Sequence, residues 1–492
     1  MRQLIYSLIR RNRVYMWVAL TLTICLLTIF KLIYPYPNMV LDSYYYVLGA
    51  MSHADVSPWA IGYSWFLRIV GVFSHSPLVL VIVQYVLLEV SLMVFFLTLD
   101  QVLGIPRFGK WLLMIFFFAN PLLLYCANFV MADSLFISLS LMWISLLLWM
   151  LYRPSWQAIW IHTILIILVF CVRYNALYYP IVGALALSIS RYSLRQKLVG
   201  ITAEVLVIGG FIGYTSIRVG QVSGQSQFSP FGNWKTANDA LYMYGHIYRE
   251  DSSAVPEKFA ALHQMVRQYF EGGAAVDDLL NFRSQFYGSQ YMFTSGTPLV
   301  SYKVRLYGED SEFVNFRKMA AVGPLYGQYG AYLIKKFPGA FIEYFVEPNA
   351  IRYLFPPMEA FGSLPPFFLR PDYLGQAGRT WFRLHTLTVS WDRINLRAKI
   401  LNSYQTIVFF VHIVFVLALL GFLMISGLRT LPVVERHSLI VLTALWLLDL
   451  GFNLTAAATV MRYEIFPLMI EFALIWWLSA KILLPQTNIV SL

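Results

Sequence analysis

The stretch "VYMWVALTLTICLLTIFKLIY" (residues 14–34) runs directly into "PYPNMVLDSYYYVLGAMSHADVSPWAIGYSWFLRIVG" (residues 35–71), and that junction decides the fold. The first part is apolar over about 20 residues, enough to cross a hydrocarbon core of roughly 30 Å. The second part carries Asp42, three consecutive tyrosines, His53 and Asp55 before it becomes apolar again. The first run has no small-residue cleavage site and further spans follow it, so it reads as a retained helix rather than a signal peptide.

Similar runs recur along the chain. Expected spans fall at 14–34, 78–99, 111–127, 134–151, 157–172, 175–190, 198–218, 404–427, 438–457 and 463–482. The composition agrees: 59% of the residues are hydrophobic and 12% charged, with a mean hydropathy of +0.63, far from a soluble domain. The expected fold class is therefore an all-α polytopic membrane protein of about ten transmembrane helices. The net charge of +11 does not point to nucleic acid, because the basic residues cluster at the ends of spans. Cys25, Cys126 and Cys171 are widely spaced within apolar segments. They suggest neither a disulfide framework nor a metal site.

Arg2, Arg10, Arg11 and Arg13 precede the first span. Arg107 and Lys110, Arg153, Arg191, Arg195 and Lys197, and Arg429 and Arg436 fall between spans on the same side. The short loops of the other side hold Arg68, Arg173 and Arg462. This asymmetry predicts cytoplasmic N- and C-termini. Three parts follow: an N-terminal seven-span module (1–218) with its opening outer loop (35–76), a long outer segment (219–403), and a C-terminal three-span part (404–492). In the long segment, "PEKFAALHQMVRQYFEGG" reads as a helix bounded by Pro256 and Gly272-Gly273. The aromatic "YGQYGAYLIKKFPGAFIEYFVEP" reads as helices lying on the membrane.

A charge at membrane depth costs several kcal/mol unless it is paired or wet. Glu89, Glu204, Asp449 and Glu471 lie near mid-span, and no two of them share a span at a spacing that suggests a relay. They either form a proton or ion path or are satisfied by neighbouring hydroxyls and amides between packed helices, and the spacing favours the second reading. Another set lies at the outer ends of spans: Asp42 after the first, Asp133 in "NPLLLYCANFVMADSLF", Arg173 in "CVRYNAL" and Arg462 in "VMRYEIFPL". Topology brings these two acids and two arginines to one membrane face, as a site for an anionic lipid headgroup requires. The alternative is that they snorkel or pair as structural salt bridges. Tyr44 and Tyr45 either stack on a sugar ring or join an interfacial aromatic belt. His53 and Asp55 are secondary candidates that could bind a divalent metal, although no ligand spacing supports one. Arg68, on the aromatic "GYSWFLRIVG" helix, either reaches a lipid phosphate or snorkels.

These residues resemble the GT-C superfamily of membrane glycosyltransferases, in the branch of protein O-mannosyltransferases and aminoarabinose transferases. The likeness rests on an aspartate shortly after the first span, the "A…P…GY…FL" surface helices and the "VIVQYVLLEV" span. It extends to "NPLLLYCANFVMADSLF", "CVRYNALYYP", "YLIKKFPGAFIEYF" and the closing "RYEIFPLMI". The resemblance implies a GT-C-like bundle with large first and fourth outer loops and a polyprenyl- or dolichyl-phosphate sugar donor. It implies Asp42 as catalytic aspartate and Asp133 as the second acid. Ser43 follows Asp42 where many relatives have Glu. Ser57, Pro58 and Trp59 stand where some carry a basic residue, which leaves Arg68, Arg173 and Arg462 as substitute phosphate contacts.

The expected activity is transfer of a sugar from a polyprenyl-phosphate donor to a lipid, glycan or protein hydroxyl. It would take place on the periplasmic side of a bacterial inner membrane and require no cofactor. A lipid-linked glycan polymerase or ligase is a second enzyme reading, and a transporter or flippase is the reading of a different class. Transporters usually carry internal repeats, and none is visible in this sequence.

Overall fold

The computed structural model describes residues 2–251, 253–274, 276, 278–280, 288–309, 315–358, 373–384 and 394–483. Among these the chain is all-α, and the backbone pairs outside helices in one isolated bridge, Asn38 with Phe129. Eight helices are long and apolar enough to cross a membrane: Arg13–Ile33, Pro77–Val102, Arg107–Asn128, Ala132–Tyr152, Leu194–Ser223, Ile400–Ile425, Val433–Ala456 and Met461–Leu483. Two shorter apolar helices, Trp156–Val172 and Tyr174–Ile189, cover the expected fifth and sixth spans. The chain is thus a polytopic α-helical membrane protein.

Burial separates centre from periphery. Only 11% of the apolar window of Arg13–Ile33 is buried in the protein, against 72% for Ala132–Tyr152 and 67% for Met461–Leu483. The first helix therefore sits at the rim and the latter two run through the core. In lipid, helices associate by close packing and polar contacts, since apolar surface gains little by leaving hydrocarbon. The central helix follows that rule. Trp143 stacks on Tyr179 with ring centroids 4.2 Å apart, and Trp149 donates from Nε1 to Thr98 Oγ1 at 3.0 Å. Ser138 and Ser145 return their hydroxyls to carbonyls one turn back, which satisfies them within their own helix. At one end of the bundle, Arg11, Asn12 and Lys110 converge on the buried Asp100.

The opposite end, the loop face, is pinned by backbone as well as side chains. Asn38 N–H donates to Asn128 O at 2.9 Å, and Val130 N–H donates back to Asn38 O at 2.9 Å. This clip joins the segment before Asp42 to the segment before Asp133. Gln84 reinforces it from within a span, donating to Ala127 O at 2.7 Å and Phe129 O at 3.0 Å. The third span breaks at Asn120-Pro121 into Arg107–Phe118 and Pro121–Asn128, with the Asn120 side chain capping the second piece at Leu122 N–H. An Asn cap followed by Pro at the first position is an efficient helix restart. The Gly62–Phe73 helix rests on the end of Trp156–Val172, where a Cβ at Gly62 would lie 2.5 Å from Cys171 O. Only glycine permits that approach, which sets the opening loop beside Arg173.

The long segment folds over this face. The helix Pro230–Ile247 packs along Phe316–Lys336, burying Trp234, Leu241 and Tyr244 against Tyr326, Tyr329 and Leu333. The stretch expected to lie on the membrane begins in this helix, at Tyr326. Here its glycine side is used against protein: a Cβ at Gly330 would meet Thr236 O at 2.5 Å. The expected helix after Pro256 is present as Glu257–Phe259 and Ala260–Glu271. Overpacking of this kind costs about 1–3 kcal/mol. Gly330→Ala should therefore lower the thermal unfolding midpoint of the detergent-solubilised chain, and an unchanged midpoint would show that the two helices do not meet this closely.

Candidate functional site

Four charged residues from four separate segments meet at the loop face. Asp42 occupies the first turn of the Leu41–Met51 helix, and Asp133 the first turn of Ala132–Tyr152. Both acids therefore sit at helix N-termini, where the macrodipole favours negative charge. Arg173 follows Trp156–Val172 in extended conformation, with φ −151° and ψ 132°. Arg462 lies in the first turn of Met461–Leu483, the end of a helix that disfavours a cation. Its charge is offset by partners rather than by its own helix.

The pairing is asymmetric. Arg173 Nη1 forms a tight ion pair with Asp133 Oδ1. Arg462 Nη1 is shared between Asp42 Oδ2 at 3.3 Å and Asp133 Oδ2 at 3.7 Å. Both distances exceed the roughly 2.7–2.9 Å of a close charge-assisted hydrogen bond. Exposure ranks the acids in the same way: the Asp133 side chain is 4% accessible and Asp42 19%. Asp133 is the buried anchor, and Asp42 is the carboxylate a reactant can approach. Tyr463 lies between the two guanidinium groups, 4.8 Å from Arg173 and 5.1 Å from Arg462. It holds both cations by cation–π attraction. Sequence reading quoted Tyr463 within "RYEIFPL" without giving it a task; its position beside Arg462 was the available signal.

The remaining predicted residues lie elsewhere or play other parts. Tyr44 and Tyr45 are buried, and Tyr45 packs on Trp59 with centroids 4.7 Å apart. Both belong to the buried apolar core. Tyr46, the third of the run, is fully buried. Burial, then the Asp42 charge, push its phenol above the ordinary range, so it stays neutral beside the four charges. Asp55 pairs with Arg218 at the end of the Leu194–Ser223 helix. Arg68 and His53 line a separate groove of about 500 Å³ with His75, Trp65 and Trp381, and none of the four clustered charges belongs to its lining. His53 has a positive φ of 52°, a left-handed conformation uncommon outside glycine. Among the described residues, no three His, Cys, Asp or Glu side chains are grouped to hold a metal ion.

Comparison with known proteins adds no relative. No family model, curated protein or solved structure matches the chain. The resemblance read from its motifs therefore stands on the residues alone.

The mid-span acids each find polar company. Glu89 accepts from Thr23 at 3.1 Å and Glu204 pairs with His162 at 2.8 Å. Asp449 accepts from Tyr178 at 2.6 Å and from Asn453 at 2.9 Å. Glu471 meets His412 Nδ1 at 2.7 Å. Glu464, which sequence reading passed over, is fully buried near the same histidine.

Removing one member of a buried ion pair strands the other, at a cost of about 3–5 kcal/mol. Arg173→Ala should destabilise the protein in denaturant or thermal unfolding, by less than that full amount because Arg462 stays 3.7 Å from Asp133, and adding Asp133→Asn should recover part of it. A single variant as stable as the parent would mean that the pair is exposed and screened.

Proposed function

We propose that the protein is an integral-membrane glycosyltransferase that moves a sugar from a polyprenyl-phosphate donor to an acceptor hydroxyl at the outer face of a bacterial cytoplasmic membrane. The observation that carries this reading is the convergence of Asp42, Asp133, Arg173 and Arg462 at one end of the bundle. The motif resemblance to membrane glycosyltransferases of the GT-C superfamily, which rests in part on the same residues, agrees with it.

The chemistry asks for little more than these groups. A departing phosphate already carries negative charge, so no general acid has to protonate it, unlike an ordinary glycosidic leaving group, which calls for two carboxyls. The acceptor oxygen attacks the anomeric carbon as its proton passes to Asp42, and the sugar–phosphate bond breaks with its electron pair going to the phosphate. Arg462 and Arg173 take the phosphate charge in a low-dielectric setting, where a guanidinium fork acts strongly. Binding of the phosphate would draw the shared Arg462 from Asp42 and raise the readiness of that carboxylate to accept a proton. Asp133 positions the arginines and does not touch the reacting atoms.

A proton-coupled transporter or flippase is the second reading. The specific observation that favours it is the buried grouping of His412, Glu464 and Glu471 in the C-terminal part of the bundle.

The purified chain in vesicles, supplied with a polyprenyl-phosphate sugar and a panel of lipid, glycan and peptide acceptors, tests the proposal. Asp42→Asn should cut transfer by about 10²–10⁴-fold, the usual worth of a general base, while donor binding persists. Arg462→Ala should weaken donor binding, whereas Glu89→Gln should change either quantity little. Transfer that survives in Asp42→Asn would overturn the mechanism. Absence of transfer with every donor, together with substrate flux that depends on Glu464 or Glu471, would favour the transporter.

A further inference from the structure

The C-terminal three-span unit contains a second polar centre that the transfer chemistry does not use. Glu464 and Glu471 lie on the same face of the last span, two turns apart, which is about 10 Å along the helix axis. His412, on the Ile394–Ile425 helix, stands between them. Its Nδ1 is 2.7 Å from Glu471 Oε2, and its Nε2 is 3.9 Å from Glu464 Oε2. The Tyr353 ring stacks on the imidazole with centroids 4.7 Å apart. Glu464 and Glu471 have no exposed side-chain surface, and His412 has 2%.

Several polar atoms here are buried without a hydrogen bond of good geometry: His412 Nε2, both oxygens of Glu464, Glu471 Oε1, the Tyr353 hydroxyl and Trp446 Nε1. Unpaired buried polar atoms are costly. So many in one place call for a chemical explanation. The charge balance supplies one. Three carboxyls, Asp449, Glu464 and Glu471, act on one another, with one imidazole among them. The other titratable groups turned toward them are the phenols of Tyr353 and Tyr178. Arg352, on the neighbouring helix, points instead to Thr459 O and Leu279 O. Three adjacent carboxylates and a single imidazolium would leave a large uncompensated charge in low dielectric. Asp449 has neutral donors in Tyr178 and Asn453, and Glu471 has the histidine. Glu464 has the Tyr353 phenol beside it, without a hydrogen bond of good geometry.

We propose that Glu464, His412 and Glu471 form a proton-binding relay that carries a proton from near the loop face to the middle of the membrane. Glu464 holds the proton as a neutral acid, and neutral His412 keeps its Nδ1–H on ionised Glu471. The 3.9 Å gap closes by about 1 Å of side-chain rotation to hydrogen-bond distance. Glu464 then gives its proton to Nε2, and the transient imidazolium passes the Nδ1 proton to Glu471. Glu464 ends ionised and Glu471 neutral, with the imidazole in its other tautomer. The reverse transfer resets the relay, and no other bond changes. The relay rests on this geometry alone and holds whether or not the protein is a transferase.

Infrared difference spectroscopy of the full chain in lipid nanodiscs, scanned over pH in H₂O and D₂O, tests it. The parent should show a carboxylic-acid C=O band at pH 7 that shifts in D₂O, where an ordinary glutamate is fully ionised. Glu464→Gln, which is isosteric, should remove that band. His412→Gln should move its titration by about one pH unit or more, because the neighbouring ring no longer exchanges the proton. A parent spectrum without the band at pH 7 overturns the proposal. So does a band unchanged in both variants, which would belong to another buried acid. Should Glu464→Gln fail to fold, the parent band and the His412→Gln titration still decide.

Discussion

The buried ion pair between Arg173 and Asp133 is the constraint on which the loop face depends. Two opposite charges at the end of a membrane bundle are tolerable only together, because each alone would have to be solvated by protein. Their partnership fixes the end of one helix against the start of another. It also gives Arg462 a second acid to lean on and leaves Asp42 as the accessible member of the set. Tyr463, in reach of both guanidinium groups, ties the last span into the same centre. The arrangement is held from behind by the Asn38–Phe129 clip and by Gln84. The carboxylate that meets a reactant is thus presented by a rigid scaffold, although it follows an irregular loop.

Much of this was legible in the sequence because membrane spans announce themselves by length and apolarity alone. The ten expected spans correspond to eight long helices and two shorter ones. Positive charge at span ends then puts Asp42, Asp133, Arg173 and Arg462 at one end, and topology brings together what sequence separation hides. Less readable was which member of the group does what. Only the packing reveals that Asp133 is sealed and Asp42 open, or that Tyr44 and Tyr45 belong to the core.

Side-chain direction sets the other candidates of the opening loop apart from the cluster. Arg68 and His53 share the opening loop with Asp42, yet they line a groove of their own, because one loop can present residues in several directions. Asp55 is drawn to Arg218. In the C-terminal unit, Asp449 and Glu471 read as groups satisfied by polar neighbours between packed helices, since they do not share a span at a relay spacing. The contacts of His412 connect their neighbourhoods, and the seven-residue spacing from Glu464 to Glu471 was the overlooked sign. A polar residue in a span is informative mainly through the helices that face it.

The central claim is that the four-charge cluster receives a lipid phosphate. A structure of the full chain with bound polyprenyl phosphate tests this most directly. The account expects the phosphate within hydrogen-bond reach of Arg462 and Arg173, with the Asp42 carboxylate released from Arg462 and facing the sugar-bearing side. A phosphate seated elsewhere, for instance in the groove of Arg68 and His53, with the Arg462–Asp42 contact intact, would contradict it.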